Sequence, residues 1–333
     1  QGPRIVFETG AGAFTLGGNA VSLFDAGTAA PRITNLSSST QTIDLDLTFD
    51  GSGVAGGVAQ IDAQGGSLIF NGAVTLADPG NSHLQISGAN AASVVFNNAI
   101  SGDNQVTVSG DIVVEFNGAN SYSGATVLDG GIVRLGNGSG LGSTSAGTAV
   151  NAGATLDLNG QAVGAEAIAI SGGALINNSA TASTLAGVVT LAGPGSIGGS
   201  GNLTLSAGLA GTGQVLTKTG AGTLTLTTNA TRTGETRLSG GTLSISNFSQ
   251  ISVNSDRVIF DGGTLQVTAT TNSSRNFEFA AGDNRVVTTT GTTTWSGQLT
   301  GPGGFMKRGS GTLALQGSTA NTIQGLVDVQ QGT

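Results

Sequence analysis

The aspartates Asp44, Asp46 and Asp50 form the densest group of chemically competent side chains in the sequence, at positions of equal parity within one apolar run. With Ile43, Leu45, Leu47 and Phe49 turned to one side, the three carboxylates share the other face of a strand. Neighbouring carboxylates can hold a calcium ion through hard oxygen ligands, or stand as a solvated outer face. Other chemistry has little material. The chain has no cysteine and one histidine, which excludes His/Cys metal clusters by count. A Ser-His-Asp arrangement would have to use His83, in Asn81-Ser82-His83-Leu84, where a solvated side chain beside a turn is the plainer reading. Lys218 and Lys307 are the only lysines, and they occupy the same position of a repeat, which points to a structural role over a turn. Trp295 and Tyr122 are single aromatics without the clustering of a sugar-stacking platform, so packing is expected of both. The glycine-rich stretches lack the strand-to-helix context of a phosphate loop. No cofactor is expected.

Whatever positions these side chains is built from β-strands. The chain has 333 residues, of which 58 are glycine and 9% are charged. An interior glycine costs ~0.5–1 kcal/mol relative to alanine, so 58 of them inside helices or strands would exceed the ~5–15 kcal/mol net stability of a domain. They belong at turns, and many turns mean many short strands. The net charge of −8 leaves no basic patch for nucleic acid. No window approaches the ~18 unbroken apolar residues of a membrane helix, so this segment is not expected to insert into a bilayer. The lack of cysteine suits an exported protein.

A pattern of glycine followed by alternating apolar residues recurs. It stands at Gly12-Ala13-Phe14-Thr15-Leu16, Gly66-Ser67-Leu68-Ile69-Phe70, Gly131-Ile132-Val133-Arg134-Leu135, Gly222-Thr223-Leu224-Thr225-Leu226 and Gly311-Thr312-Leu313-Ala314-Leu315, among others. Successive spacings cluster between 19 and 22 residues. Phe24, Phe49, Phe70, Phe96 and Phe116 follow at intervals of 25, 21, 26 and 20, each before Asp or Asn. A period of about 21 residues with short strands is one coil of a solenoid. The expected fold is all-β: a right-handed parallel β-helix of roughly 15 coils, continuous over residues 1–333. Each inward residue then lies over its counterpart in the previous coil. The five phenylalanines are expected to stack inside, and Asn71, Asn97 and Asn117 to form an amide ladder at one corner.

The longer repeats carry a resemblance. Leu216-Thr217-Lys218-Thr219-Gly220-Ala221-Gly222-Thr223-Leu224-Thr225-Leu226, continuing to Leu238-Ser239-Gly240-Gly241-Thr242-Leu243, resembles the passenger-associated repeat of bacterial autotransporters. Residues 306–333 open another copy at Met306-Lys307-Arg308-Gly309-Ser310-Gly311, and 114–135 hold a third around Gly118-Ala119-Asn120-Ser121-Tyr122-Ser123-Gly124. The Tyr122 position becomes Arg232 and then Ile323, so no role transfers to it. The resemblance implies a surface-exposed or secreted bacterial protein.

By alignment with Gly240-Gly241-Thr242 the chain stops within a strand at Gln331-Gly332-Thr333, and neither end shows a polar capping coil. A longer polypeptide, or self-association end to end or in a fibre, is therefore expected. The functional expectation is a non-enzymatic extracellular stalk or filament unit. An adhesin binding surface or matrix glycans is the alternative, with contacts from the repeat-poor segments 51–66 and 268–276. A β-helical polysaccharide lyase or hydrolase is the second alternative, for which Asp44, Asp46 and Asp50 are the available carboxylates.

Overall fold

Strands mostly of three or four residues, with buried aliphatic side chains alternating with outward Thr, Ser or charged residues, wind into an all-β parallel β-solenoid of about 13 turns and about 22 residues per turn. The computed structural model describes residues 3–24, 30–50, 58–77, 83–280, 284–288 and 290–333. Asp25, residues 51–57, Gly282 and Asp283 lie outside the described residues. Two compact units, Gln1–Ile168 and Ala169–Thr333, divide the chain.

In the first unit one line of strands runs from Arg4–Phe7 through Arg32–Asn35, Val58–Ala63 and the first half of His83–Phe96 to Thr126–Leu128 and Thr148–Asn151, all parallel. A second line runs from Thr15–Leu16 through Gln41–Ile43, Leu68–Phe70 and the second half of His83–Phe96 to Ile132–Leu135 and Thr155–Asp157. A third joins Val21–Phe24, Leu47–Asp50, Val74–Leu76 and Ile100–Gly102. Register places like over like: Ile33, Ile61, Ile86 and Val108 succeed one another in the first line, all fully buried.

The second unit repeats the plan. One line stacks Gly195–Gly198, Leu216–Lys218, Thr236–Leu238, Val258–Phe260, Phe277–Phe279 and Leu299–Gly301. A parallel line stacks Ser183–Leu185, Leu203–Leu205, Thr223–Leu226, Thr242–Ile245, Thr264–Val267 and Arg285–Thr288. Residues 268–276, read from sequence as a loop, contain the strand Thr271–Ser273, which pairs with Thr292–Trp295 and belongs to the solenoid wall.

The phenylalanine series divides. Phe70 and Phe96 stack with ring centroids 4.9 Å apart and planes 10° from parallel, and Phe116 follows at 5.7 Å. Phe49 is buried too, but in the third line, where Leu23 and Leu76 are its neighbours. Phe24 corrects the expectation. It pairs with Asp50, one residue out of phase with the inward Leu23, and is 52% exposed. Strand alternation decides this, because a one-residue offset sends a side chain to the opposite face. A second aromatic core lies in the other unit. Phe260 stacks on Phe279 at 4.8 Å, Phe279 on Phe305 at 4.8 Å and Phe277 on Trp295 at 3.9 Å.

At the Phe-Asn-Gly corners the glycine is a steric demand. A Cβ at Gly72 would lie 2.1 Å from the Leu45 carbonyl oxygen, and one at Gly118 2.3 Å from the carbonyl of Asn98.

Phe96→Ala is expected to cost about 3–5 kcal/mol, because stacked coils cannot close around the cavity. Phe24→Ala should stay within about 0.5 kcal/mol. Urea unfolding of the two variants checks the contrast, and equal losses would place Phe24 in the core.

Candidate functional site

The sequence-predicted carboxylates do not converge. Asp44 and Asp46 lie in the corner between Gln41–Ile43 and Leu47–Asp50, strands of different lines, so they do not share one strand face with Asp50. The next coil uses their oxygens. Asn71 donates Nδ2 to Asp44 Oδ1 at 2.7 Å, and the Ala73 amide donates to Asp46 Oδ1 at 2.7 Å. Asp50 stands at the end of its strand, half-buried, in register with Phe24. His83 is the half-buried first residue of His83–Phe96. Among the described residues no three His, Asp or Glu side chains come close enough together to hold a metal ion.

The asparagines do meet. Asn97 Nδ2 donates to Asn71 Oδ1 at 2.7 Å, and Asn117 Nδ2 to Asn97 Oδ1 at 2.9 Å. With Asp44 as its last acceptor, the ladder crosses four coils at one exposed corner.

The larger concentration of polar chemistry is inside. At several corners buried polar side chains face backbone carbonyls, some of which, such as those of Gly220 and Gly240, accept from no backbone amide, and leaving such a group unpaired costs about 1–3 kcal/mol. Inward polar side chains satisfy them. Asn35 Nδ2 donates to the carbonyls of Ser39 and Ser67, and Asn177 Nδ2 to those of Thr181 and Asn202. Lys218, 1% exposed, donates Nζ to the carbonyls of Thr219, Gly220 and Gly240 at 2.8–3.2 Å. Lys307 makes the same three contacts, to Arg308, Gly309 and Gln331. Burial draws the Lys218 ammonium down to about 8 and lowers that of Lys307.

The middle of the repeat holds the same device in two chemistries. Tyr122 is fully buried, its hydroxyl 2.6 Å from Thr126 Oγ1, which donates onward to the Leu141 carbonyl at 2.9 Å. Burial pushes the Tyr122 phenol well up. In the second copy Arg232 donates Nη1 to Thr236 Oγ1 at 2.9 Å and to the Ile251 carbonyl. Its Nη2 reaches the carbonyls of Gln214, Gly234 and Glu235. In the third copy Ile323 and Val327 occupy the two positions. The pair i, i+4 thus changes together: Tyr–Thr, Arg–Thr, Ile–Val.

Arg275 is a further inward cation that sequence reading missed. It donates to Ser252 Oγ and to the carbonyls of Phe248, Ser252 and Asp256. Glu166 is the corresponding buried acid. Thr148 Oγ1 donates to its Oε1 at 2.7 Å, while Oε2 is buried with no hydrogen-bond partner. Burial raises its carboxyl, against the lowering by Thr148.

Outward, charges pair from coil to coil. Arg134 lies between Glu115 and Asp157, and Arg257 between Glu235 and Glu278. These arginines are about two-fifths exposed, so each pair contributes ~0–1 kcal/mol and acts mainly on register.

A family model described as passenger-associated-transport-repeat matches residues 113–135, 216–245 and 306–333. These three segments are similar to that repeat, and Tyr122, Lys218, Arg232 and Lys307 lie within them. The chain is also similar to the adhesin BmaC autotransporter of Brucella suis biovar 1 (strain 1330), with 33% identity over 130 residues. That match covers 39% of this chain and 4% of the relative's length. No solved structure matches the chain.

Two outcomes follow from the interior. Tyr122→Phe removes one hydrogen bond and leaves Thr126 bonded to Leu141, so a loss of about 1 kcal/mol is expected. Arg232→Leu strands the carbonyls of Gln214, Gly234 and Ile251 and should cost at least about 3 kcal/mol in the same urea titration. Equal effects would mean that the guanidinium does not hold the corner together.

Glu166 makes a pH signature. Folding raises its carboxyl above the ordinary 4.5, so the folded chain keeps a proton that the unfolded chain has already released. Stability therefore falls as pH rises through that window. Glu166→Gln retains the acceptor for Thr148 and cannot ionise. The variant should be more stable than the parent at neutral pH and lose that advantage in acid, as unfolding midpoints at several pH values would reveal. An advantage that persists unchanged in acid would assign the effect to something other than ionisation.

Proposed function

We propose that this chain is a non-enzymatic scaffold segment of an extracellular, surface-exposed passenger, which extends or spaces the polypeptide that carries it. The observation that carries the reading is the direction of its polar chemistry. In the passenger repeats Lys218, Arg232, Tyr122 and Lys307 point inward and are occupied by corner carbonyls or hydroxyls. The outward Arg134 and Arg257 are paired with acids of adjacent coils. Residues used this way tie coils together; they are not arranged around a substrate. Parallel coil-to-coil hydrogen bonding spreads load over many small, similar units.

An adhesive role is the second reading, favoured by the name of the Brucella relative, an adhesin. The two separate by exchange. In the polypeptide that carries this chain, residues 1–333 would be replaced by an equal number of coils from an unrelated parallel β-solenoid, and binding of the displaying bacteria to host cells and matrix measured. A scaffold predicts that binding survives the exchange. Loss of binding at unchanged surface display would overturn the scaffold reading in favour of adhesion through this segment.

A further inference from the structure

The asparagine ladder has a direction, and two of its members sit in sequences primed for self-modification. Asp44 can only accept, so Asn71 must turn its Nδ2 toward it. Asn71 then presents Oδ1 to Asn97, and Asn97 presents Oδ1 to Asn117. Every amide in the column is oriented by one carboxylate at its end.

Two of the three asparagines precede glycine, at Asn71-Gly72 and Asn117-Gly118, and neither glycine can be replaced because a Cβ would strike the coil beneath. Glycine leaves the following amide unhindered toward the asparagine side chain. Among the described residues neither the Gly72 nor the Gly118 amide donates to a backbone carbonyl, so neither must break such a bond to react. The two asparagines differ in restraint. Asn71 is held at both amide atoms, by Asp44 and Asn97, whereas Asn117 is held through Nδ2 alone.

We propose that Asn117 is a spontaneous deamidation site and that its conversion breaks the polarity of the ladder. The Gly118 nitrogen attacks Asn117 Cγ, forming a C–N bond. The Cγ–Nδ2 bond breaks, and ammonia leaves with the proton from the Gly118 amide. Water then opens the succinimide at either carbonyl, giving aspartate or isoaspartate. The product carries only acceptors, and it meets Asn97 Oδ1, another acceptor. If Asn97 turns over to donate to it, Asn71 must turn as well, and Asn71 Oδ1 then faces Asp44. A column of amides with a carboxylate at each end leaves one acceptor–acceptor contact in every arrangement.

This logic specifies its own rescue. Replacing Asp44 by asparagine frees the first position to donate, and the whole ladder can then run in the opposite direction with every contact satisfied. The full chain would be incubated folded, and separately in urea, in mildly alkaline buffer, and its peptides mapped by mass spectrometry for the amide-to-carboxyl mass gain and for isoaspartate. Asn117 is expected to convert ahead of Asn71 in the folded chain, and the two at similar rates in urea. Conversion of Asn71 first, or of neither in the folded chain while both react in urea, would overturn the site assignment. For the consequence, Asn117→Asp should lower the urea midpoint, and adding Asp44→Asn should restore it more than Asp44→Asn raises the midpoint of the parent. An unchanged midpoint in Asn117→Asp, or no rescue in the double variant, would overturn the polarity argument.

Discussion

The constraint on which everything else depends is that the strand residues of a coil lie in hydrogen-bonded register over those of the coil before it. The inner faces of the strands meet that constraint with columns of aliphatic residues, such as Ile61, Ile86 and Val108, and with stacked rings such as Phe70 and Phe96. The corners cannot. Where the chain leaves one strand line for the next, several carbonyls, such as those of Gly220 and Gly234, accept from no backbone amide. The interior therefore has to supply donors, and it does so with long or branched polar side chains whose donors fan out. One Lys218 ammonium serves three carbonyls, and one Arg232 guanidinium serves four. Placing these cations in an apolar interior carries a desolvation cost, visible in the lowered Lys218 ammonium. Several carbonyls satisfied at once offset it.

That division explains how a chain with so little charge can spend some of it indoors. A lone buried cation would be strongly destabilising. Beside Arg232 and Arg275 stands Asp256, which accepts from the Gly234 amide and holds both guanidiniums in their charged forms against burial. The outer face follows a different rule. In Glu115–Arg134–Asp157 and Glu235–Arg257–Glu278 an arginine bridges acids of the coils on either side, so a register slip would set like charges together. Inner donors hold each corner closed, and outer charges keep successive corners in step.

The period, the parallel solenoid and the passenger repeats were legible in the sequence because each is a recurrence, and a recurrence survives uncertainty about any single residue. What was not legible depends on phase. Phe24 and Phe49 are followed by Asp just as Phe70 and Phe96 are followed by Asn, yet they lie in a different strand line, and Phe24 falls one residue outside its inward phase. Asp44, Asp46 and Asp50 alternate as on one strand. Nothing in Asp44-Leu45-Asp46, neither glycine nor proline, announces that the chain turns a corner there. The aromatic core of the second unit has no single recurrence to show it, because Phe277 and Phe279, Trp295, and Phe305 come from three strand lines and share no interval.

Arg232 shows why even an alignment of repeats can hide an interior position. Read alone, the succession Tyr122, Arg232, Ile323 suggests an unconstrained surface site. Read with the residue four places on, it becomes Tyr–Thr, Arg–Thr, Ile–Val, two polar pairs and one apolar pair. The constrained quantity is the match between the two side chains, because a polar group in the interior must find its partner within reach. A buried tyrosine or arginine opposite valine would lose the threonine hydroxyl that meets it at Thr126 and Thr236. Selection acting on such a pair fixes neither residue, and a reading that tests positions singly finds no pattern. In a solenoid the unit of meaning inside the coil is the contact, and the same holds for the asparagine column, where Asp44 decides the orientation of amides up to three coils away.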